Sequence, residues 1–191
     1  MKYVDLDGRE NRTSQNLRKD YLKTQKMLIG AKYVYGAENP LNLEKDKNGK
    51  MKEGGVDFSG APQFGLRLMG YLIPERVNAN QFVENYTEQV ELSTCEPGDL
   101  RAMRMDDNYV YHLQTVTENG RINPTGDSSN TYDNPGEVEE FIGELPSSGT
   151  IQRLSADLLS QYYNSSADIV GGKLNPSQLD KAWENICKWS N

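Results

Sequence analysis

Cysteine and histidine are scarce in this sequence, with two cysteines and one histidine among 191 residues. Cys95 and Cys187 are too few and too far apart to indicate a disulfide framework or a CxxC metal site. With one histidine beside them, a structural zinc site is not expected either. We therefore predict no metal site and no cofactor.

Long apolar runs and an excess of positive charge are also missing. No stretch is long and apolar enough to cross a bilayer, so we expect no membrane insertion. Residues 1 to 10 are polar and lack the basic start and apolar run of a signal peptide, which predicts a protein that is cytoplasmic at synthesis. The net charge is -7, with 21 Lys and Arg against 28 Asp and Glu, so no nucleic acid partner is expected.

What is present fits one globular domain with a modest core, since 36% of the residues are hydrophobic and 26% are charged. Apolar residues recur at helical spacing from Thr13 to Ile29, which predicts an amphipathic helix. A second helix is predicted from Ser59 to Met69, because Ser59 can cap it and Pro62 is tolerated in a first turn. A shorter helical stretch surrounds Asn80 to Tyr86.

The middle of the chain is typical of an antiparallel sheet. Pro97-Gly98-Asp99 marks a turn that precedes a run of short strands. The segment from Tyr109 to Thr117 contains His112, and Asn119-Gly120 is the strongest hairpin signal in the chain. The order of helix, helix and antiparallel sheet predicts an α+β domain.

The character of the sequence changes beyond about Asp127, where residues 127–130 and 133–136 are loop sequence. We predict one domain over residues 1–126, and a loop and helical extension over 127–191 that packs on the same domain. Within the extension, helical periodicity runs from Arg153 to Tyr163, and Asn175-Pro176 can start a last helix.

Five short motifs follow one another between residues 31 and 123. They are AKYVYG at 31–36, VDFSG at 56–60, EPGDL at 96–100, YH at 111–112 and NGRIN at 119–123. In this order they resemble the motifs PYVWGG, FDCSG and QPGDL, the histidine strand and the following hairpin of the NlpC family of cell-wall cysteine endopeptidases. The resemblance covers roughly Leu17 to Thr125. It implies a papain-like NlpC-type fold, with amino-terminal helices packed on an antiparallel sheet.

The resemblance also implies roles for particular residues. In these enzymes a thiolate at a helix amino terminus attacks an amide, a histidine acts as base, and a third polar residue orients the imidazole. His112 stands at the base position. Asn123 is the orienting residue, with Thr125 or Asp127 as alternatives. Phe58 stands at the nucleophile position, and a phenyl ring has no lone pair with which to attack, so the resemblance implies a pseudoenzyme.

Two residues could replace the missing nucleophile. Ser59 follows Phe58 directly, but adjacent residues at a helix start point in different directions, and Ser59 is more simply a helix cap. Cys95 lies in the approach to a turn, where a small, partly buried thiol is the simpler interpretation. We expect neither residue to be catalytic.

Other residues are candidates for binding. Tyr33, Tyr35, Asp57 and Ser59 match the family's substrate groove, although an aromatic patch against the first helix and a capped turn would explain them equally well. Exposed aromatic residues mark interfaces, which makes the extension a candidate contact surface. The alternative is that its helices pack on their own domain. The interface candidates are Tyr162, Tyr163, Trp183 and Trp189.

Three functions are open at this point. The first is a catalytically inactive homologue that serves as a structural or binding protein, such as a component of a phage tail or other multi-protein particle, or a peptidoglycan-recognition module. The second is a peptidoglycan peptide hydrolase with a replacement nucleophile. The third is a regulator of active relatives. The expected partners are proteins of an assembly or peptidoglycan peptides.

Overall fold

The computed structural model describes residues 14–40, 48, 54–73, 76–124 and 136–163. The helices in these ranges are α1 (Ser14–Met27), α2 (Gly60–Leu68), α3 (Ala79–Tyr86) and α4 (Ala156–Ser160), with a 3-10 turn at Leu92–Thr94. The strands are β1 (Glu38–Asn39), β2 (Gly55–Val56), β3 (Thr87–Val90), β4 (Leu100–Arg104), β5 (Val110–Val116), β6 (Gly120–Asn123), β7 (Glu139–Ile142) and β8 (Thr150–Leu154).

A six-stranded sheet organises this part of the chain. Its strand order is β3-β8-β4-β5-β6-β7, and every neighbouring pair is antiparallel. Strands β1 and β2 form a separate antiparallel pair. Helices and an antiparallel sheet therefore make up one α+β architecture, as the order of sequence signals predicted.

Helix α1 confirms the amphipathic helix predicted from Thr13 to Ile29. Leu17 and Tyr21 are one turn apart and fully buried, and both belong to the main core cluster. The Tyr21 hydroxyl reaches the Thr115 hydroxyl on β5 at 3.2 Å, which joins the helix to the sheet. Among the described residues, no helix has the length and apolar character needed to span a membrane.

Helix α2 is buried along its whole length, so its amino end lies inside the domain. Its predicted start is confirmed, but the predicted cap is wrong. The Ser59 side chain makes no capping bond, and Asp57 Oδ1 instead accepts from the Ser59 and Gly60 amides at 2.9 and 2.6 Å. Asp57 caps the helix in place of Ser59 because a carboxylate is a stronger acceptor than a hydroxyl at a helix amino terminus.

The hairpin predicted at Asn119-Gly120 joins β5 to β6, with Thr115 opposite Ile122. Gly120 has a φ of +158°, which is close to extended backbone. Glycine is therefore needed at this position because a side chain would not fit, and not because of the backbone angle. A Cβ at Gly120 would lie 2.0 Å from the carbonyl oxygen of Phe141 on the next strand. Glycine therefore allows β7 to approach the turn.

The sheet continues past residue 126, so the predicted boundary at that position divides one sheet. The helix predicted from Arg153 to Tyr163 is also wrong in its first part, where Thr150–Leu154 is strand β8. This strand lies between β3 and β4 and satisfies its backbone groups on both sides, which overrides a local helical pattern. Only Ala156–Ser160 is helical, and the last predicted helix lies outside the described residues.

Candidate active site and groove

Three residues that the sequence singled out lie together beside the amino end of α2. The Phe58 and His112 ring centroids are 5.0 Å apart with ring planes inclined by 61°. The His112 Nε2 atom lies 2.7 Å from Asn123 Oδ1. The positions predicted for nucleophile, base and orienting residue thus lie close together, and Asn123 is the residue that hydrogen-bonds to the imidazole. The alternatives Thr125 and Asp127 lie outside the described residues.

A β-bulge positions the histidine. Met103 pairs with His112 and Arg104 pairs with Val110, so Tyr111 has no partner on β4. Because of this extra residue, Val110 and Leu113 both enter the main core cluster although they are three positions apart. The bulge thus sets the alternation of side chains on β5 just where the histidine occurs.

The environment of His112 favours the neutral imidazole. Burial lowers the pKa of His112 below its ordinary value, and the positive charge of Arg101 lowers it further. The hydrogen bond to Asn123 and the charge of Asp57 act in the opposite direction and are weaker than the burial. Since a carbonyl oxygen only accepts, His112 Nε2 carries the hydrogen and Nδ1 carries the lone pair in the neutral form.

Asp57 is a structural carboxylate in this groove. It is 2% exposed and its Oδ1 accepts from the Ser59 hydroxyl at 2.8 Å in addition to the two helix amides. Its Oδ2 accepts from the Gly36 amide at 2.9 Å and pairs with Arg76 at 2.5 Å. These bonds tie the loop before β1 to the start of α2 and use the acceptor capacity of the carboxylate.

Neither replacement nucleophile is arranged for attack. The Ser59 hydroxyl is buried and donates to Asp57, and no hydrogen bond joins it to His112 among the described residues. Cys95 lies beyond the 3-10 turn, next to Asp99 and Arg153. Burial first, and then the charge of Asp99, raise the pKa of the Cys95 thiol to about 11. A thiol with such a pKa is protonated and unreactive at neutral pH.

A pocket of about 350 Å³ opens beside Phe58. Three tyrosines stand at its rim, of which Tyr35 is 81% exposed, and Tyr109 and Tyr111 are exposed to lesser degrees. Its polar lining includes Asp57, Ser59 and Arg76. Of the four predicted groove residues, Tyr33 is absent from the lining. Burial and the nearby Asp57 charge raise the pKa of Tyr33 to about 12.

Sequence reasoning missed several residues of this pocket. The PER segment at 74–76 is the sequence signal that could have identified Arg76. Its ion pair with Asp57 could not be predicted, because the two residues lie 19 positions apart in the chain. Tyr109 and Tyr111 alternate with the apolar Val110 at the start of β5, a pattern typical of a strand whose two faces differ. Within the described part of the chain, no group of side chains suited to hold a metal ion occurs.

Two of the predicted interface residues pack on their own domain instead. Tyr162 lies against Tyr86 at a centroid distance of 5.7 Å, and Tyr163 lies against Tyr71 at 5.3 Å. Both are partly buried against the main core cluster. This packing agrees with the alternative that the sequence left open, in which the extension packs on its own domain, and the interface stays a prediction for these two residues. Trp183 and Trp189 lie outside the described residues.

A search of solved structures finds a similar fold in the crystal structure of the P60 domain from M. avium subspecies paratuberculosis antigen MAP1204. The TM-score is 0.52 and the sequence identity is 19%, with coverage of 73% of this chain and 96% of that one. No family model and no curated protein matches the sequence. The chain therefore has an NlpC/P60-like, papain-like α+β fold. At this identity the likeness concerns the fold alone.

Proposed function

We propose that this protein is a catalytically inactive NlpC-type peptidase homologue that acts as a structural or binding protein. The observation that carries the proposal is the Phe58 ring, which lies against the His112 imidazole at the amino end of α2. A cysteine peptidase needs a thiolate at that place, stabilised by the helix dipole and the imidazolium. A phenyl ring can neither lose a proton nor form an acyl intermediate.

The alternative, a hydrolase with a replacement nucleophile, has less support. Its candidates are Ser59, which is bound to Asp57, and Cys95, which is held as a thiol away from the imidazole. General-base activation needs a hydrogen bond between nucleophile and base, and neither residue makes one to His112 in the described structure. Reaction chemistry would then require a large rearrangement of a buried region.

Binding is supported by the pocket beside Phe58. Its rim carries Tyr35, Tyr109 and Tyr111, and exposed tyrosines supply large contact areas at small cost in conformational entropy. The Phe58 ring occupies the space nearest the absent sulfur, so a peptide would lie in a register different from that of a substrate. Peptidoglycan peptides and proteins of a phage tail or other multi-protein particle are the ligands and partners we propose.

A muropeptide digest tests the loss of catalysis. The natural protein should release no product from stem peptides that contain D-glutamyl bonds, and His112→Ala should be indistinguishable from it. Turnover above background in the natural protein that disappears in His112→Ala would refute the proposal.

A binding measurement tests the remaining function. Muropeptides are titrated into the protein by calorimetry, with Tyr35→Ala as the pocket variant and Leu92→Ala as a control, since Leu92 is exposed but outside the pocket lining. A peptide-recognition module should bind, and only Tyr35→Ala should weaken it. If no binding occurs, copurification from the native source distinguishes a particle component from a regulator that captures active relatives.

A further inference from the structure

The ion pair between Asp57 and Arg76 presents its positive partner to the pocket beside Phe58. These two residues are the charged members of the pocket lining that the structure describes. The Asp57 side chain is 2% exposed, whereas the Arg76 side chain is 35% exposed. A ligand that enters the pocket therefore meets the guanidinium first, and the carboxylate is shielded from it.

Apart from the tyrosine hydroxyls, the side-chain acceptors of this lining are already in use. Asp57 accepts from three backbone amides, from one hydroxyl and from Arg76. Ser59 Oγ is buried, donates to Asp57 and accepts from Arg76 at 3.3 Å. Asn78 Oδ1 accepts from the Gln81 amide at 2.9 Å, which caps α3. A ligand that offers a donor would have to displace one of these bonds.

Donors of the same lining remain free. Arg76 bonds to Asp57 and Ser59 through Nη2, while its Nη1 and Nε make no hydrogen bond in the described part of the chain. A Cβ placed on Gly36 would lie 3.6 Å from Arg76 Nη1, so this nitrogen borders the lining at Gly36. The Asn78 Nδ2 group has no partner among the described residues either, and Asn78 is exposed. A carboxylate, which only accepts, fits such a set of donors.

Gln63 holds the segment that carries both donors. Its Oε1 accepts from the Val77 amide at 2.9 Å, and its Nε2 donates to the Val77 carbonyl oxygen at 2.7 Å. Gln63 is fully buried on α2, where Nε2 also donates to the Ser59 carbonyl oxygen at 2.8 Å. Because Val77 lies between Arg76 and Asn78, these bonds fix the backbone from which both donors project. A wall that is fixed before the ligand arrives lowers the entropy cost of binding.

We propose that the pocket binds a carboxylate group of a peptide, and that Arg76 and Asn78 recognise it. The carboxylate accepts from the free nitrogens of Arg76 and from Asn78 Nδ2, while the rest of the peptide packs on the tyrosine rim. A cationic amine would meet the guanidinium instead and is disfavoured. The proposal rests on the proposed function and deepens it, because it names the chemical group that the pocket selects.

Calorimetry with one stem peptide in two forms tests the proposal. A D-glutamyl stem peptide is titrated into the natural protein with its carboxylates free, and again with every carboxyl group converted to an amide. The free acid should bind about tenfold more tightly or better, because the amide loses charge-assisted hydrogen bonds. Acetylation of the amino groups of the peptide should not weaken binding. Equal affinity of the acid and the amide, or no binding of the acid, would overturn the inference.

Two pocket variants assign the effect to the proposed donors. Arg76→Gln should weaken binding of the free acid by about tenfold or more and leave any binding of the amide unchanged. Asn78→Asp puts a negative charge on the same wall and keeps the cap of α3, because aspartate caps a helix as well as asparagine does. It should also weaken the free acid alone, which decides the matter even if Arg76→Gln does not fold. Unchanged affinity for the acid in folded Asn78→Asp would count against the inference.

Lys23→Gln is the matched control. It changes the net charge of the protein by the same amount as Arg76→Gln, and Lys23 is exposed on α1 outside the pocket lining. Its affinity for both forms of the peptide should equal that of the natural protein. A loss equal to that in Arg76→Gln would mean that the overall charge, and not the pocket, selects the acid.

Peptides amidated at a single position distinguish the possible sources of the carboxylate, which are the glutamyl residue and the carboxyl terminus. Affinity should fall in one of the two forms as it does in the full amide, and retention in both would contradict the proposal. The proposed loss of catalysis fails separately, through muropeptide turnover by the natural protein.

Discussion

The Phe58 ring meets the His112 imidazole edge to face, with 5.0 Å between the ring centroids. This contact replaces the sulfur–imidazole contact that a papain-like peptidase needs, and it keeps the two elements that would carry the reaction packed together. Aromatic pairs in this geometry contribute about 0.5–1.5 kcal/mol beyond their buried area. The start of α2 and strand β5 therefore stay packed together although position 58 carries no thiol.

Substitution of Phe58 should separate a refitted scaffold from a recently decayed enzyme. Phe58 is only partly buried, so Phe58→Ala should cost about 2 kcal/mol, less than the roughly 3–5 typical of fully buried phenylalanine. Phe58→Cys should lower the melting temperature and yield little or no peptidase activity, since it leaves a void and near-attack geometry tolerates small errors only. Denaturation curves and a muropeptide digest measure both, with Phe58→Leu as the volume control. An active, equally stable Phe58→Cys protein would mean that the groove is intact.

Stability should depend on pH through the single histidine. Because the pKa of His112 is lowered in the folded protein, both states are neutral at that site above about pH 6.5. Below that pH the unfolded chain gains a proton first, so the free energy of unfolding should fall by at most about 1.4 kcal/mol per pH unit until the folded pKa is reached. Urea denaturation from pH 7.5 to 5.5 measures the slope. His112→Gln should remove this component, and an undiminished slope would show that other groups cause it.

Replacement by alanine should lower the stability by different amounts at two glycines. Gly60 begins α2, and a Cβ there would lie 2.1 Å from the carbonyl oxygen of Ala37 and 2.8 Å from the Glu38 Cα. Gly60→Ala should therefore cost several kcal/mol, because backbone must move in a packed region. Gly30 has a φ of +87° and open space around it, so Gly30→Ala should cost only about 1 kcal/mol. Thermal unfolding compares them, and equal losses would contradict the assigned close approach.

Substitutions of Asp57 and of Arg76 should lower the stability of the protein by unequal amounts. Asp57→Asn removes the charge that accepts from the start of α2, and the loss of such a buried partner costs about 3 kcal/mol. Arg76→Gln should cost about 1 kcal/mol, since Arg76 is partly exposed and the three amides and the Ser59 hydroxyl still bind the carboxylate. Urea denaturation gives both values. A larger loss for Arg76→Gln would show that the pair, and not the capping, stabilises the loop.

Much of the site could be predicted from the sequence because its signals are local. Glycine, proline and the Asn-Gly turn constrain the backbone where they occur, and helical spacing marks the buried face of α1. The order of the motifs predicted that Phe58, His112 and Asn123 lie together, and Phe58 and Asn123 each contact His112. Ser59 is the exception within the motif, because the Asp57 carboxylate caps the helix and the Ser59 side chain does not.

What the sequence by itself determined is the α+β class, helices α1 and α2, the β5–β6 hairpin and the absence of a nucleophile at position 58. Only the tertiary structure decided that β8 enters the sheet between β3 and β4, and that Tyr162 and Tyr163 pack on the core. The same holds for the ion pair between Asp57 and Arg76, which lie 19 positions apart in the chain. Strand pairing, burial and buried electrostatic interactions depend on residues that are far apart in the chain. Their energies outweigh the local preferences on which a prediction from sequence rests.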